Sequence, residues 1–318
     1  MGLWKLRLSM AGTLAVIFGL STLVFTVILT LAGLGFDLLT MGIFVVCFNI
    51  IQWLLAPYIV GALYRVKELP QSENPQLHQM VDTLSQKSGI ARPKLMIAQI
   101  PLPNAFAYGS PISGSRIAVT QGLLKTLDEG EVEAVIGHEL GHLRHRDVQV
   151  MMVVSFLPAL FYYIGFSLMW SGNSRDKNGS GNNALFGIAF MAFSWVLNLF
   201  TLYLSRLREY YADRHSVSVV ENGAQKLSSG LAKIVHATQR TSRTKKETQN
   251  LNAFKALFIA DPDKANTDSA TLATMQASNQ NLVQEILAKE PTLTDKIIEA
   301  LSTHPNIVKR LRALQQLN

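Results

Sequence analysis

The chain has 318 residues, enough for about two domains, and 48% of them are hydrophobic. Its single cysteine, Cys47, excludes an intramolecular disulfide. The net charge is +7, but the sequence has no basic patch interleaved with aromatic residues, so we do not expect nucleic acid as a partner.

Four apolar runs without Asp, Glu, Lys or Arg predict four membrane-spanning helices. They cover residues 14–34, 41–64, 148–170 and 184–204. About 20 apolar residues are enough to cross a hydrocarbon core of roughly 30 Å. Four buried helices of a soluble protein would need a larger polar shell than this chain provides. The first run could also be a signal peptide, but its length and the second run directly after it favour a retained anchor.

Basic residues beside these runs predict that both termini lie in the cytoplasm. Lys5 and Arg7 precede the first run, whereas the connection at 35–40 has no basic residue. Further basic pairs flank the other runs: Arg65 and Lys67, Arg144 and Arg146, Arg206 and Arg208. By the positive-inside rule, the polar stretch that follows the second run is then cytoplasmic too, together with any active site in it. We expect a multi-pass protein of the plasma membrane, with the lipid bilayer as its partner.

The polar stretch between the second and third runs, residues 65–147, predicts an α/β segment. Asn74 followed by Pro75 predicts the start of a helix, and Gly89 its end. Three strand-like stretches follow: 94–100, 104–108 and 116–120. The glycine-rich residues 109–114 suit a hairpin turn between the last two. A phosphate-binding loop is the alternative, but the lysine and the helix signature of such a loop are missing.

The most specific feature is a His-Glu-x-x-His motif on a predicted helix. His138 and His142 share one helix face, so both can reach one metal ion, and Glu139 can take a proton from an activated water. The helix is predicted independently, because Asp128 and Glu131 form a capping box before an apolar repeat. A solvated polar helix is the alternative interpretation. We predict that this helix runs directly into the third apolar run.

Two acids after the fourth run can complete a zinc site. A catalytic zinc ion usually has three protein ligands and keeps a fourth position for water. Glu209 can be the third ligand, and Asp213 can accept a hydrogen bond from the outer nitrogen of a ligand histidine. Taken by themselves, both acids would more readily be surface residues paired with Arg206 or Arg208. The ligand role is favoured because the hairpin of the third and fourth runs starts just after His142 and returns just before Glu209.

Four stretches together resemble the HtpX-type membrane zinc metalloproteases, which are similar to the larger prenyl-protein (CAAX) metalloproteases. They are residues 104–107, 138–142, 205–213 and 302–305. The resemblance covers nearly the whole chain. It implies an α-helical membrane protein with an α+β gluzincin-like protease domain, comprising four transmembrane helices, a small β-sheet and an active-site helix. It also implies one zinc ion on His138, His142 and Glu209, and cleavage of misfolded or damaged membrane proteins.

The expected organisation follows from the runs and the resemblance. It comprises a transmembrane hairpin (1–64), an α/β protease part (65–147), a second transmembrane hairpin (148–204) and a helical protease part (205–318). Within the last part, residues 261–280 are predicted to form a mobile loop, and residues 245–280 match the family least well.

Two further regions have open interpretations. Asn104, Ala105 and the two residues after them would form an edge strand along which an extended substrate pairs, or else an ordinary core strand. His304 precedes Pro305, which suits the first position of a C-terminal helix. The family position of His304 leaves a role near the oxyanion open, and a structural role is equally compatible with the sequence.

Other functions remain as alternatives. A prenyl-protein protease is one, although those proteins are longer and have more spans. A catalytically silent membrane scaffold is another, although every expected catalytic residue is present. The natural substrates and the oligomeric state stay open.

Overall fold

The structure, a computed structural model, describes most of the chain after residue 63. The described ranges are 64–171, 180–243, 279–290 and 292–317, together with individual helical residues between 40 and 62. The predicted first span, 14–34, lies outside the described residues, and the second, 41–64, is described only in part. Nearly all of the predicted loop at 261–280 is also outside them.

All described strands lie before residue 121, and the described elements after it are helices. In chain order they are β1 (Val66–Glu68), α1 (Pro75–Ser88), β2 (Lys94–Ala98), β3 (Ala105–Ser110), β4 (Gly114–Thr120), α2 (Gln121–Thr126), α3 (Glu129–Arg144), α4 (Asp147–Ser171), α5 (Ser180–Val219), α6 (Gly223–Arg243), α7 (Asn279–Leu287), α8 (Leu293–Ala300) and α9 (Ile307–Gln315).

The chain divides into two compact units. One comprises Met1–Ile51 and Met152–Thr201, and the other comprises Gln52–Met151 and Leu202–Asn318. Every candidate site residue belongs to the second unit.

One described helix is long and apolar enough to cross a membrane. Its stretch Ala184–Val219 meets this requirement by length and composition, whereas the apolar stretch Leu157–Met169 of α4 is shorter. Charged residues begin with Arg206, so we take 184–204 as the membrane-spanning segment and treat the rest of α5 as lying outside it. The set of four spans stays a prediction.

The described residues of the second unit include a four-stranded sheet with the order β1-β2-β4-β3. β2 and β4 are parallel, and the two outer pairs are antiparallel. β3 and β4 form the predicted hairpin, in which Ala105 pairs with Val119 and Ser110 pairs with Gly114. Among the described residues β3 lies at the edge of the sheet, as predicted, although the strand begins at Ala105, one residue after Asn104.

The predicted helix starts are confirmed for α1 and α3. The Asn74 side chain accepts from the backbone N–H of Leu77, and Gly89 ends α1 in the left-handed region. Before α3, the Asp128 side chain accepts from the Glu131 backbone, and the Glu131 side chain accepts in return from the Asp128 backbone. Both caps satisfy N–H groups that the first turn of a helix leaves without partners.

The prediction that the metal helix runs directly into the third apolar run is wrong. α3 ends at Arg144, and α4 begins at Asp147. Between them, Arg146 has a φ of 53°, in the left-handed region. Neither glycine nor proline marks this break, so no local signal in the sequence indicates it.

The expected helix start at Pro305 is also wrong. α9 begins at Ile307, and its cap is Asn306, whose side chain accepts from the backbone N–H of Val308. An asparagine side chain can satisfy a free N–H of the first turn, so the cap is Asn306, two residues after the cap position that a start at Pro305 implies.

The core of the second unit surrounds α3. Buried apolar residues of α3 and of α6 belong to one hydrophobic cluster. They include Val132, Val135, Ile136 and Leu140 of α3, and Leu227, Leu231 and Ile234 of α6. Full burial of such side chains contributes about 1.5–3 kcal/mol each. The helix that carries the His-Glu-x-x-His motif is therefore one of the best-packed elements of the unit.

Candidate metal centre

Two glycines allow α3 to approach α5 closely. A Cβ atom at Gly137 would lie 3.2 Å from Ser216 Oγ, and one at Gly141 would lie 3.0 Å from Ala212 Cα. Both glycines lie on the same face of α3, because they are four residues apart. α5 packs against this face and thereby brings Glu209, three residues before Ala212, to the motif histidines.

Three side chains converge at this contact with a spacing that fits zinc. Nε2 of His138 lies 3.2 Å from Nε2 of His142. The carboxylate oxygens of Glu209 lie 3.6 Å and 3.5 Å from these two nitrogens, respectively. Ligand atoms at 2.0–2.1 Å from a tetrahedral zinc ion lie about 3.3 Å from one another. The three residues therefore fit the ion that the sequence predicts.

Each ligand histidine directs its outer nitrogen to a buried carboxylate. Nδ1 of His138 lies 2.9 Å from Oδ1 of Asp213, and Nδ1 of His142 lies 2.6 Å from Oδ2 of Asp147. A carboxylate in this position accepts the ring N–H, which leaves Nε2 as the nitrogen for a metal. The sequence predicts Asp213 as such a partner, whereas Asp147 is a finding of the structure.

Glu139 is oriented by the edge strand. It is buried, and its Oε2 accepts a hydrogen bond of 2.7 Å from the backbone N–H of Ala107 in β3. This N–H is therefore directed to α3 and not to the neighbouring strand β4. The carboxylate of the expected general base is held at the sheet edge, one residue after a ligand.

A buried arginine from α9 joins the two acids of α5. Nε and Nη2 of Arg310 donate to the two oxygens of Asp213, each over 2.7 Å, and Nη1 lies 3.0 Å from Oε2 of Glu209. Arg310 is only 2% exposed. A buried charge of this kind is tolerated only when it is paired and hydrogen-bonded. Arg310 supplies that pairing for both carboxylates.

The electrostatics of the site keep these acids ionised. Burial raises the pKa of Asp213, but Arg310 and His138 lower it by more. Burial also raises the pKa of Glu209, yet His304 and Arg310 hold it well below its ordinary value. For His138, burial and Arg310 lower the pKa, but the hydrogen bonds to Asp213 and Glu209 raise it by more, so that the pKa is about 9. An ionised Glu209 is the form that ligates a metal.

His304 lies near the third ligand. Its Nδ1 is 3.4 Å from Oε1 of Glu209. The chain before it is held by Arg206, whose Nη1 donates to three carbonyl oxygens at the end of α8, those of Glu299, Ala300 and Ser302, over 2.8–3.1 Å. The structure therefore brings His304 to the cluster, through a loop that α5 holds in place.

Asn104 and Ala105 are packed into the protein. Both are buried, and Ala105 belongs to the hydrophobic core. The backbone N–H of Asn104 donates to Thr120 Oγ1 over 2.9 Å. These contacts favour the core-strand interpretation for the two side chains, while Ala107 of the same stretch contacts Glu139.

The comparisons with known proteins agree with this geometry. A model of peptidase family M48 matches residues 71–318. The chain belongs to this family. It is 36% identical to "Protease HtpX homolog" of Thermoplasma acidophilum, over 100% of this chain and 99% of that protein. It is 37% identical to "Protease HtpX homolog 2" of Saccharolobus solfataricus, over 99% of this chain and 98% of that protein. The resemblance to the HtpX type is confirmed.

The M48 fold is also seen in a solved structure. The crystal structure of S. mikatae Ste24p matches with a TM-score of 0.57 and 17% identity, over 98% of this chain and 66% of that one. This chain thus spans slightly less than two thirds of the length of Ste24p. At this identity the likeness shows the fold alone. Together, the family and the His-His-Glu cluster indicate a metalloprotease.

Sequence reasoning missed three charged residues of this M48 site: Asp147, Arg208 and Arg310. Asp147 is five residues after His142, a spacing that does not share a helix face. Arg208 was interpreted as a basic residue beside the fourth apolar run and as a partner of the two acids of α5, not as a partner of Asp147. Arg310 is 97 residues from its partner Asp213. A basic residue on the apolar side of a predicted helix was the available signal for Arg310, since buried arginines require an acidic partner.

Proposed function

We propose that the chain is a membrane-integral, zinc-dependent endopeptidase that cleaves misfolded or damaged membrane proteins from the cytoplasmic side. The observation that carries this proposal is the convergence of His138, His142 and Glu209 beside Glu139 in a member of family M48. The long apolar part of α5 supports membrane insertion. The basic residues beside the apolar runs support the orientation.

The residues of the site support peptide hydrolysis. Zinc bound to the three ligands would supply a Lewis acid that activates water and polarises the scissile carbonyl. Glu139 can take a proton from the attacking water and transfer it to the leaving amine nitrogen. Oε2 of Glu139 accepts from Ala107, so we assign the proton transfer to the other oxygen, Oε1.

The edge strand supports extended segments as the substrates. β3 is the last strand of the described sheet on its side. An extended peptide can add to such an edge through main-chain hydrogen bonds, which depend on the conformation of the substrate more than on its sequence. Unfolded stretches of damaged proteins have this conformation available.

Cleavage by the full chain tests the proposal. The chain is purified in detergent, supplied with zinc and incubated with an unfolded polypeptide, beside Glu139→Gln. We expect Glu139→Gln to bind zinc as the wild type does and to cleave about 10²–10⁴-fold more slowly, the usual contribution of a general base. Cleavage by this variant at the wild-type rate would contradict the mechanism.

A matched control and a second substrate sharpen the result. Glu133 also lies on α3 but forms an ion pair with Lys226 over 2.8 Å, so Glu133→Gln should cleave normally. A prenylated C-terminal peptide is offered in parallel. Cleavage of that peptide alone would replace the quality-control function by that of a prenyl-protein protease. Zinc binding without any cleavage of either substrate would refute the proposed activity.

A further inference from the structure

The junction between α3 and α4 contains a carboxylate that contacts a metal ligand. We infer that Asp147 is a positioning residue of the zinc site, which fixes the ring of His142, and that the left-handed turn at Arg146 brings it there. The inference rests on the proposed zinc site and goes beyond it, because it assigns a role to the break between two helices.

A continuous helix could not make this contact. Residues five apart on an α-helix are separated by about 140° around its axis, so their side chains point in different directions. Yet Oδ2 of Asp147 lies 2.6 Å from Nδ1 of His142. The contact exists because α3 ends at Arg144 and the chain turns before α4 begins.

The turn depends on an unfavourable backbone conformation. Arg146 has a φ of 53°, which residues other than glycine rarely adopt because Cβ approaches the backbone. Its side chain is exposed, so burial of that side chain does not account for this conformation. Strained residues of this kind persist where the surrounding structure requires them, often at functional sites. Here the requirement is the position of the next residue, Asp147.

Asp147 also connects the second and third ligands. Its Oδ2 lies 3.1 Å from Nε of Arg208, the residue before Glu209 on α5. One carboxylate oxygen thus contacts the ring of His142 and the helix that supplies Glu209. A change in the position of either helix would alter this contact, so Asp147 holds two ligands of the same ion in register.

A simpler role for Asp147 is to place a negative charge at the N-terminus of α4, where the helix dipole favours it. That role does not require burial or a histidine partner, whereas Asp147 is 4% exposed and hydrogen-bonded to His142. Glu129 is the matched control. It is likewise the first residue of its helix, α3, but it is exposed and contacts Gln76, away from the ligands.

Zinc release measures the role independently of cleavage. All variants are made in the full chain carrying Glu139→Gln, loaded with zinc in detergent and mixed with excess chelating dye. We expect Asp147→Ala to release zinc about 10- to 100-fold faster than the parent, as loss of such a carboxylate partner typically does. Asp147→Asn should release it less rapidly than Asp147→Ala, because the amide oxygen still accepts from His142. Glu129→Gln should match the parent.

The turn is tested at Arg146 itself. Arg146→Gly retains the left-handed conformation without a Cβ atom, so zinc release should equal that of the parent. Arg146→Val carries a β-branched side chain that disfavours this conformation, and release should be faster. The absorption spectrum of the cobalt-substituted protein gives a second measurement, which should shift in Asp147→Asn and stay unchanged in Glu129→Gln.

The outcomes separate the two proposals. If the parent holds zinc and Asp147→Ala and Asp147→Asn both release it at the parent rate, the inference is overturned while the proposed function stands. If the parent holds no zinc, both are overturned. If Asp147→Ala does not fold, equal cobalt spectra and equal release for Asp147→Asn and the parent would overturn the inference.

Discussion

The backbone N–H of Ala107 donates a hydrogen bond of 2.7 Å to the carboxylate of Glu139. It joins the edge strand of the sheet to the residue that acts as the expected general base. A backbone donor cannot rotate away as a side chain can, so the carboxylate has a fixed direction before any substrate binds. Preorganisation of this kind is a main source of catalytic power.

Ala107→Pro should therefore impair cleavage while leaving zinc in place. Proline removes the N–H, and this N–H is directed to Glu139, so the ladder with β4 is not interrupted. Loss of a hydrogen bond to a charged group corresponds to about a 10- to 100-fold lower rate of cleavage. Ala107→Gly, which retains the N–H, is the control. Equal cleavage rates for the two variants would show that the hydrogen bond does not contribute.

Arg310→Gln should destabilise the protein strongly. It leaves Asp213 and Glu209 buried with fewer charged partners, and breaking a buried ion pair lowers the free energy of unfolding by about 3–5 kcal/mol. Arg312, two residues later, is exposed, so Arg312→Gln should change that free energy by no more than about 0.5 kcal/mol. Denaturant unfolding of the zinc-free chain in detergent compares the two variants. Similar midpoints would contradict a structural role for Arg310.

Gly141→Ala should separate α3 from α5. The new Cβ would lie 3.0 Å from Ala212 Cα and 3.1 Å from His215 Cβ, and a backbone atom cannot move aside as a side-chain end can. We expect weaker zinc binding and slower cleavage. Gly230→Ala in α6 is the matched control, because the new Cβ atom would lie 3.5 Å from its nearest neighbour, Cβ of Glu131. This second variant should gain about 0.5–1 kcal/mol of stability and keep its zinc.

His215 should make the folded state sensitive to acid. Its Nε2 contacts Ser88 Oγ over 2.9 Å, and burial, together with Arg144 and other nearby basic groups, lowers its pKa to about 4. The unfolded chain binds a proton here below about pH 6.5, and the folded chain does so only near pH 4. Stability is therefore lost as the pH falls from about 6.5 to 4.

His215→Asn should weaken this acid dependence. Asparagine does not titrate, so the unfolding free energy of the variant should decline less between pH 6.5 and 4 than that of the wild type. Thermal or denaturant unfolding at several pH values, with zinc removed from both proteins, provides the comparison. Parallel curves for the two proteins would show that His215 does not couple folding to protonation.

Local signals in the sequence predicted much of the site. The spacing of His138 and His142, and that of Glu209 and Asp213, follows the helical repeat, and the caps at Asn74 and Asp128 depend on neighbouring residues only. These features need no knowledge of the tertiary structure. For the same reason the hairpin of β3 and β4 was predicted from its turn residues.

What the sequence did not predict depends on contacts between distant segments or on an unusual backbone. Arg310 reaches Asp213 across 97 positions, and its apolar neighbours indicate that it is buried but not which acid it pairs with. The turn at Arg146 has no glycine to mark it, so Asp147 was assigned to a continuous helix in which it could not reach His142. Similarly, Pro305 suited a helix start, but the side chain of Asn306 satisfies the first turn.

α3 is held at both of its ends, with consequences for rotation about its axis. Near its start, Lys233 of α6 donates to Glu131 over 2.7 Å, and after its end Asp147 pairs with Arg208 of α5. A rotation of α3 by about 20° would move an imidazole nitrogen, roughly 6 Å from the axis, by about 2 Å, the length of a zinc–nitrogen bond. The helix is 16 residues long, about 24 Å. Lys233 contacts α3 at Glu131, seven residues before His138. A substitution at Lys233 would therefore let α3 rotate and change the positions of the imidazoles that bind the zinc ion.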